Sequence, residues 1–347
     1  MLRRGVHRKR GAKIMLNAAV IGLGWWGKHI INCLEDSDRI KIVQTMDISS
    51  NEAGKFASEK GISFTTEFQE VLQNPNVDSV IVVTPHTLHE EQVVAAAKAG
   101  KQIFCEKPFS LTKDSAKRML DTCLANNLVV GIGHERRFEA ALVEMKRMVD
   151  EGELGTLLHL EFNASYNLWA GSPASGWRQD PKQAPAGTMT ALGIHQTDYI
   201  QTIAGRVKTI NAAMTQRSAD YPSEDIISIQ FIFESGMLGS FCSLATTPFY
   251  TRMSVFGDRG WAEVREIDNV DKPQPTLFTW RGMDEEIHTR TYQKRNKETV
   301  TMNLHEWADA AEGKGKYRFS PEQILHNVQI LDAIVTSAEK QQPVDID

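Results

Sequence analysis

The chain has few cysteines and no pattern among them. Cys33, Cys105, Cys123 and Cys242 are spread over 347 residues with no CxxC pair and no histidine at ligand spacing, which argues against a disulfide framework and against a metal site. Reduced, buried thiols in a cytoplasmic protein fit better. A positive field is also missing: with a net charge of -5, the chain gives no electrostatic basis for binding nucleic acid. No apolar run approaches the roughly 18 residues that cross a bilayer, so no membrane partner is expected. Internal repeats and low-complexity tracts are absent as well.

What remains is the composition of a globular protein, 41% hydrophobic and 24% charged, at a length where one core stops growing and two domains are expected. The basic start, Arg3, Arg4, Arg8, Lys9, Arg10 and Lys13, has the charge of a signal peptide. The apolar stretch 18–21 that follows runs straight into a glycine motif that cleavage would destroy, so residues 1–14 are read as a disordered leader or an upstream start ahead of Met15. From 15 to 136 short apolar runs at 18–21, 40–46, 79–83, 102–104 and 128–130 alternate with helical stretches at 90–99 and 113–125, the pattern of βαβ units around a parallel sheet. From 137 to 347 the texture changes. A helix to about Val149 is followed by alternating strands at 157–162, 226–233, 239–243 and 253–256, which predict a mostly antiparallel sheet with one open face. Helices at 188–203, 304–311 and 321–340 complete the reading, the last expected to pack back on the first domain. The fold class is therefore α/β, a doubly wound parallel sheet plus an α+β domain whose open sheet invites a homodimer or homotetramer.

Gly22, Gly24 and Gly27 close the first predicted strand and open a helix that contains Trp25 and Trp26. Gly22 permits the tight turn, Gly24 lets backbone approach a pyrophosphate, and Gly27 allows helix and strand to pack closely. The helix N-terminus then faces the negative charge. Asp47 ends the second strand, twenty residues after Gly27, where an acid meets the adenosine ribose hydroxyls. Asp47 repels a 2'-phosphate, and Ile48, Ser49 and Ser50 supply no arginine to hold one, so NAD is expected over NADP. Trp25 and Trp26 belong to the same cofactor segment, chiefly as packing.

Three further segments, Thr84-Pro85-His86-Thr87-Leu88-His89, Cys105-Glu106-Lys107-Pro108 and Gly193-Ile194-His195-Gln196-Thr197-Asp198, together with the fingerprint, resemble the Gfo/Idh/MocA family of glucose-fructose oxidoreductases and inositol dehydrogenases. The resemblance runs from Ala18 to about Val344, with Glu106-Lys107-Pro108 its most specific piece. It implies that Thr84, Pro85, His86 and His89 lie by the cofactor and that Glu106 lies near the nicotinamide ribose. It also implies that Lys107 binds substrate and assists proton movement while His195 is the catalytic base, a task that suits an imidazole. Asp198, three residues on, shares a helical face with His195 and is placed to orient it or touch substrate. Many family members carry an aspartate four residues before this histidine, and here that position is Ala191, which leaves Thr188 or Thr190 to bind a substrate hydroxyl. Trp177 and Arg178 in the loop before the histidine helix complete the substrate candidates, and Arg137 at the domain junction is either a further one or part of a structural salt bridge.

The expected function is NAD-dependent oxidation of a hydroxyl on a sugar, cyclitol or related hydroxylated acid. Two other readings stay open. One is a glycosidase that uses transient oxidation by tightly held NAD; the other is a ligand-sensing protein on the same fold.

Overall fold

The structure is a computed structural model and describes residues 15–167, 180–217, 224–268, 274–293 and 296–346. The first sheet is built from β1 (Leu16–Ile21), β2 (Ile40–Met46), β3 (Ser63–Thr65), β4 (Ser79–Val82), β5 (Gln102–Cys105) and β6 (Val130–Ile132). Its order is β3-β2-β1-β4-β5-β6, all parallel. Between the strands run α1 (Trp25–Cys33), α2 (Ser50–Glu59), α3 (Phe68–Gln73), α4 (His89–Lys98) and α5 (Lys113–Ala125). The central strands are apolar on both faces because both are covered: Val80, Ile81 and Val82 are fully buried, as a parallel sheet between helical layers requires. The order reverses between β1 and β4, and the crevice outside their carboxyl ends is where doubly wound sheets bind ligands.

The second part contains α6 (Ala140–Asp150), β7 (Leu157–Ser165), α7 (Ile194–Ala204), β8 (Val207–Thr215), β9 (Ile226–Phe233), β10 (Leu238–Leu244), β11 (Tyr250–Gly257), β12 (Gly260–Glu266), β13 (Pro275–Arg281) and β14 (Ile287–Gln293). After them come α8 (Asn296–Ala311), α9 (Pro321–Lys340) and β15 (Val344–Asp345). The nine strands form one sheet of order β14-β13-β12-β11-β7-β10-β9-β8-β15, antiparallel except where β10 meets β7. Ile227, Ile229, Phe231 and Phe233 of β9 are buried in one core with residues of α6, α7 and α9. Their alternates point the other way, and Ile232, Leu238 and Tyr250 are exposed on the opposite, uncovered face.

The tail ties the two parts together. Trp307 of α8 is fully buried in the core of the first sheet, stacks edge-on against Phe104 and donates its indole N–H to the Val129 carbonyl at 3.1 Å. Helix α9 begins with a capping box, Ser320 and Gln323 satisfying each other's backbone N–H, and packs on both cores through Ile324 and Val328 on one side and Ile330 and Leu331 on the other.

Three sequence expectations need correction. The strand expected at 128–130 lies two residues later, because Leu128 N still closes the end of α5 on the Cys123 carbonyl at 3.0 Å after Asn127 turns to φ 56. The helix expected over 188–203 opens as a π turn, Met189–Gly193, before α7 begins. The helix expected at 304–311 starts already at Asn296.

Candidate active site

The glycine turn has the geometry its spacing implies. Gly22 sits at φ 99, and a Cβ there would lie 2.7 Å from the Val83 carbonyl oxygen. A Cβ on Gly27 would lie 2.0 Å from the Gly22 oxygen, so the turn closes only when that position is glycine. At Gly24 a Cβ would meet nothing within 4 Å: this side of the turn is open. Helix α1 starts on Gly24 without a side-chain cap, so its first N–H groups are left for an outside acceptor. Asp47 braces the turn, its Oδ2 accepting from Leu23 N at 2.7 Å and its Oδ1 from Ser49 N at 2.9 Å. A carboxylate has further lone pairs, so these bonds leave acceptor capacity for ribose hydroxyls. These features fit a dinucleotide. Trp25 is largely exposed, and its ring and that of Trp26 stack against His29 one turn on, at centroid distances of 5.7 and 4.9 Å.

The loops after β4 and β5 form the opposite wall. His89 is fully buried, with Nδ1 3.0 Å from the Pro108 carbonyl and Nε2 3.0 Å from the Thr84 carbonyl. The ring lies between the Thr84-Pro85 loop and the Lys107-Pro108 loop, and in its neutral form donates to one of the two carbonyls. Thr84 donates its hydroxyl to Gln92 Oε1 at 2.6 Å. His86 instead reaches across, its Nδ1 3.1 Å from the carbonyl of Gln183 in the second part of the chain.

Glu106 follows β5 and is buried against Gly133, where a Cβ would stand 2.4 Å from its carboxylate. Burial, helped by the negative charge of Glu135, pushes its carboxyl up to about 7, so it is shared between acid and base forms near neutrality. Lys107 N donates to Glu106 Oε2 at 3.2 Å, and the Lys107–Pro108 peptide is cis. The ammonium end of Lys107 crosses to the second domain and donates to the Ala191 carbonyl at 2.8 Å.

Ala191 lies in the π turn that leads into α7. Gly193 closes that turn, and a Cβ there would stand 2.3 Å from Met189 Sδ. Thr190 is 1% exposed. Thr188 is buried too, and its hydroxyl has no partner among the described residues. His195 is 6% exposed, with Nδ1 3.4 Å from Nδ1 of His134, the rings edge to face.

Asp198 and Arg137 form a two-pronged ion pair, Nε to Oδ2 and Nη2 to Oδ1 both at 2.6 Å, with both side chains buried. Arg137 also donates to Gln323 Oε1 at 2.9 Å and lies 4.1 Å over the Phe319 ring. The pair joins the residues after β6 to α7 and α9. Trp177 and Arg178 lie outside the described residues. The reading of the sequence missed His134 and Asn327, although His134 stands just past the carboxyl end of β6, where the crevice rule directs attention.

Among the described residues no helix is long and apolar enough to cross a membrane. Residues 16–134 match the description "Oxidoreductase family, NAD-binding Rossmann fold", and residues 142–263 match the GFO/IDH/MocA C-terminal domain. The chain is similar to 1,5-anhydro-D-fructose reductase of Ensifer adhaerens, 28% identical over 88% of this chain and 91% of that protein. It is similar to scyllo-inositol 2-dehydrogenase (NAD(+)) of Bacillus subtilis, 25% identical over 96% of each. A structure of levoglucosan dehydrogenase in complex with NADH shares the fold, with a TM-score of 0.86 at 21% identity over 96% of this chain and 100% of that one. Glycine turn, domain order and matched segments agree: the chain belongs to the GFO/IDH/MocA family of oxidoreductases, with an NAD-binding Rossmann domain followed by the family's C-terminal domain.

Proposed function

We propose that this protein is an NAD-dependent dehydrogenase that oxidises a hydroxyl group of a sugar, cyclitol or related hydroxylated acid. The observation that carries the reading is the bond from Lys107 Nζ to the carbonyl of Ala191, four residues before His195. It brings the lysine of the cofactor domain to the helix that bears the histidine, at the mouth of the crevice opened by Gly22 and Gly24. The names of the relatives, an anhydro-sugar reductase and an inositol dehydrogenase, support the class of substrate.

The residues present suit the cofactor. The open face at Gly24 and the uncapped start of α1 would hold the diphosphate, and Asp47 the adenosine ribose. Its negative charge, with no arginine among Ile48, Ser49 and Ser50, favours NAD over NADP. When bound, the nicotinamide supplies the hydride acceptor. The protein's task is the substrate oxygen, which must lose a proton as the carbon is oxidised. Lys107 and His195 flank that oxygen: one takes the proton, the other stays bonded to it. Buried walls around His195 exclude water from the reacting groups, which strengthens both interactions. The uncovered face of the nine-stranded sheet is the surface through which we expect a homodimer or homotetramer to form.

The test is to mix the protein with NAD, and in parallel NADP, and a panel of sugars, cyclitols and sugar acids, following NADH by its absorbance. Steady reduction of NAD by at least one cyclic polyol is expected. A protein that binds NAD yet reduces none across the whole panel, or that hydrolyses chromogenic glycosides without net NADH, would overturn the reading.

A further inference from the structure

His134 is 3% exposed, and its two ring nitrogens have different neighbours. Nε2 is 3.1 Å from Nδ2 of Asn327, and Nδ1 is 3.4 Å from Nδ1 of His195. Which atom donates follows from the far end of the chain of bonds. Asn327 Nδ2 also stands 3.2 Å from the Ile194 carbonyl, which accepts only, while Asn327 Oδ1 accepts from the Thr197 hydroxyl at 2.7 Å. Turning the amide over would set its oxygen against the Ile194 oxygen. The amide is therefore held with its NH2 toward His134, and His134 Nε2 is an acceptor. Burial, with the positive charges of Arg137 and Lys107 acting against Asp198, holds His134 down at about 4, so the ring is neutral at physiological pH. A neutral ring that accepts at Nε2 carries its hydrogen on Nδ1.

We propose that His134 is a positioning residue that fixes the tautomer of His195: its Nδ1–H donates to Nδ1 of His195, so the neutral His195 ring carries its hydrogen on Nε2. The inference deepens the dehydrogenase reading and depends on it only for what the Nε2–H meets. Nδ1 of His195 is turned to the buried ring of His134. Protonating His195 at Nδ1 would set two N–H groups against each other, so the imidazolium form is disfavoured. A neutral ring with Nε2–H has no lone pair there to receive a proton. The division of labour expected from the sequence is therefore reversed. His195 is a fixed donor to the substrate oxygen rather than its base, and the hydroxyl proton passes to Lys107 only after the Lys107 ammonium has given up a proton to solvent. A neutral imidazole used as a hydrogen-bonding electrophile is sound chemistry, provided its partner suppresses protonation.

Nuclear magnetic resonance tests this without any substrate. The full-length protein is labelled with nitrogen-15 in histidine, and long-range proton–nitrogen correlations are assigned by comparison with His134→Phe and His195→Gln. The expected spectrum has the His195 proton on Nε2 and the His134 proton on Nδ1 throughout the neutral range. His134→Phe should let His195 sample both tautomers, raise the pH at which it becomes imidazolium, and lower kcat about ten- to a hundredfold with little change in NADH affinity. His134→Asn, which restores an N–H near the lost Nδ1, should recover most of kcat and the Nε2–H signal. A wild-type His195 protonated on Nδ1 overturns the proposal, whatever the variants do. So does a His134→Phe protein with an unchanged His195 spectrum and full kcat. Because the spectra need no turnover, failure of the dehydrogenase reading leaves the tautomer result standing and separately legible.

Discussion

Replacing Lys107 with alanine should lower kcat by about two to four orders of magnitude while NADH affinity changes little, and His195→Ala should do the same within that range. The separation of effects follows from position. In the proposed reading the diphosphate and adenosine sites belong to Gly22, Gly24, Gly27 and Asp47. Lys107 instead reaches the π turn at Ala191, four residues before His195. Lys107 also holds that turn in place, so a structural share of its loss must be told apart from a chemical one. Lys107→Arg provides the control, because a guanidinium can donate to the Ala191 carbonyl but stays protonated at any accessible pH. Its kcat should stay near that of the alanine variant, with a melting temperature close to wild type. The measurement is steady-state kinetics beside NADH titration by fluorescence. Near-wild-type turnover in both alanine variants would remove the proposed chemistry.

Arg137→Ala is expected to be the most damaging single change to stability. It leaves the Asp198 carboxylate, 2% exposed, without its two-pronged partner, and breaking a buried pair from one side costs about 3–5 kcal/mol. Loss of the stacking on Phe319 and of the bond to Gln323 adds to the damage at the junction of β6, α7 and α9. Arg137→Lys keeps the charge but not the planar fork, and should fall between the two. Denaturant unfolding measures the effect. Asp198→Asn should cost less beside Arg137→Ala than beside the wild-type arginine, because the pair is then already broken. If Arg137→Ala instead left the midpoint unchanged and raised only KM for the substrate, the arginine would be a substrate ligand, one of the two readings the sequence allows.

That choice illustrates which features a single sequence carries and which it hides. The glycine turn and the acid after β2 are local, read from their spacing along the chain, and the Glu106-Lys107-Pro108 loop was picked out by its resemblance to a family segment; the structure shows the Gly22 and Gly27 contacts that forbid any side chain there. The two sheet types are legible for the same reason, since burial on one face or two sets the apolar pattern of each strand. The partners of Arg137, Asp198 and His89 were not legible because each lies far along the chain or in another loop. A buried ion pair spanning sixty-one residues, or a histidine between two loop carbonyls, has no local signature. The π turn was hidden because its residues are compatible with ordinary helix. The start of α8 was missed because the residues from Asn296 to Asn303 are mostly polar or β-branched, although Trp307 locks the helix to the first core. His134 escaped notice because an isolated histidine is usually structural, and only its contact with His195 distinguishes it.

The account stands most directly on a crystal structure of the protein grown with NADH. The predicted result is a diphosphate against the amides at Gly24 and the start of α1, with the nicotinamide ring between Glu106 and the Lys107–His195 pair and Nε2 of His195 facing the space beside it. A turn at Gly22–Gly27 left empty at saturating NADH, or a nicotinamide ring lodged away from Lys107 and His195, would contradict it.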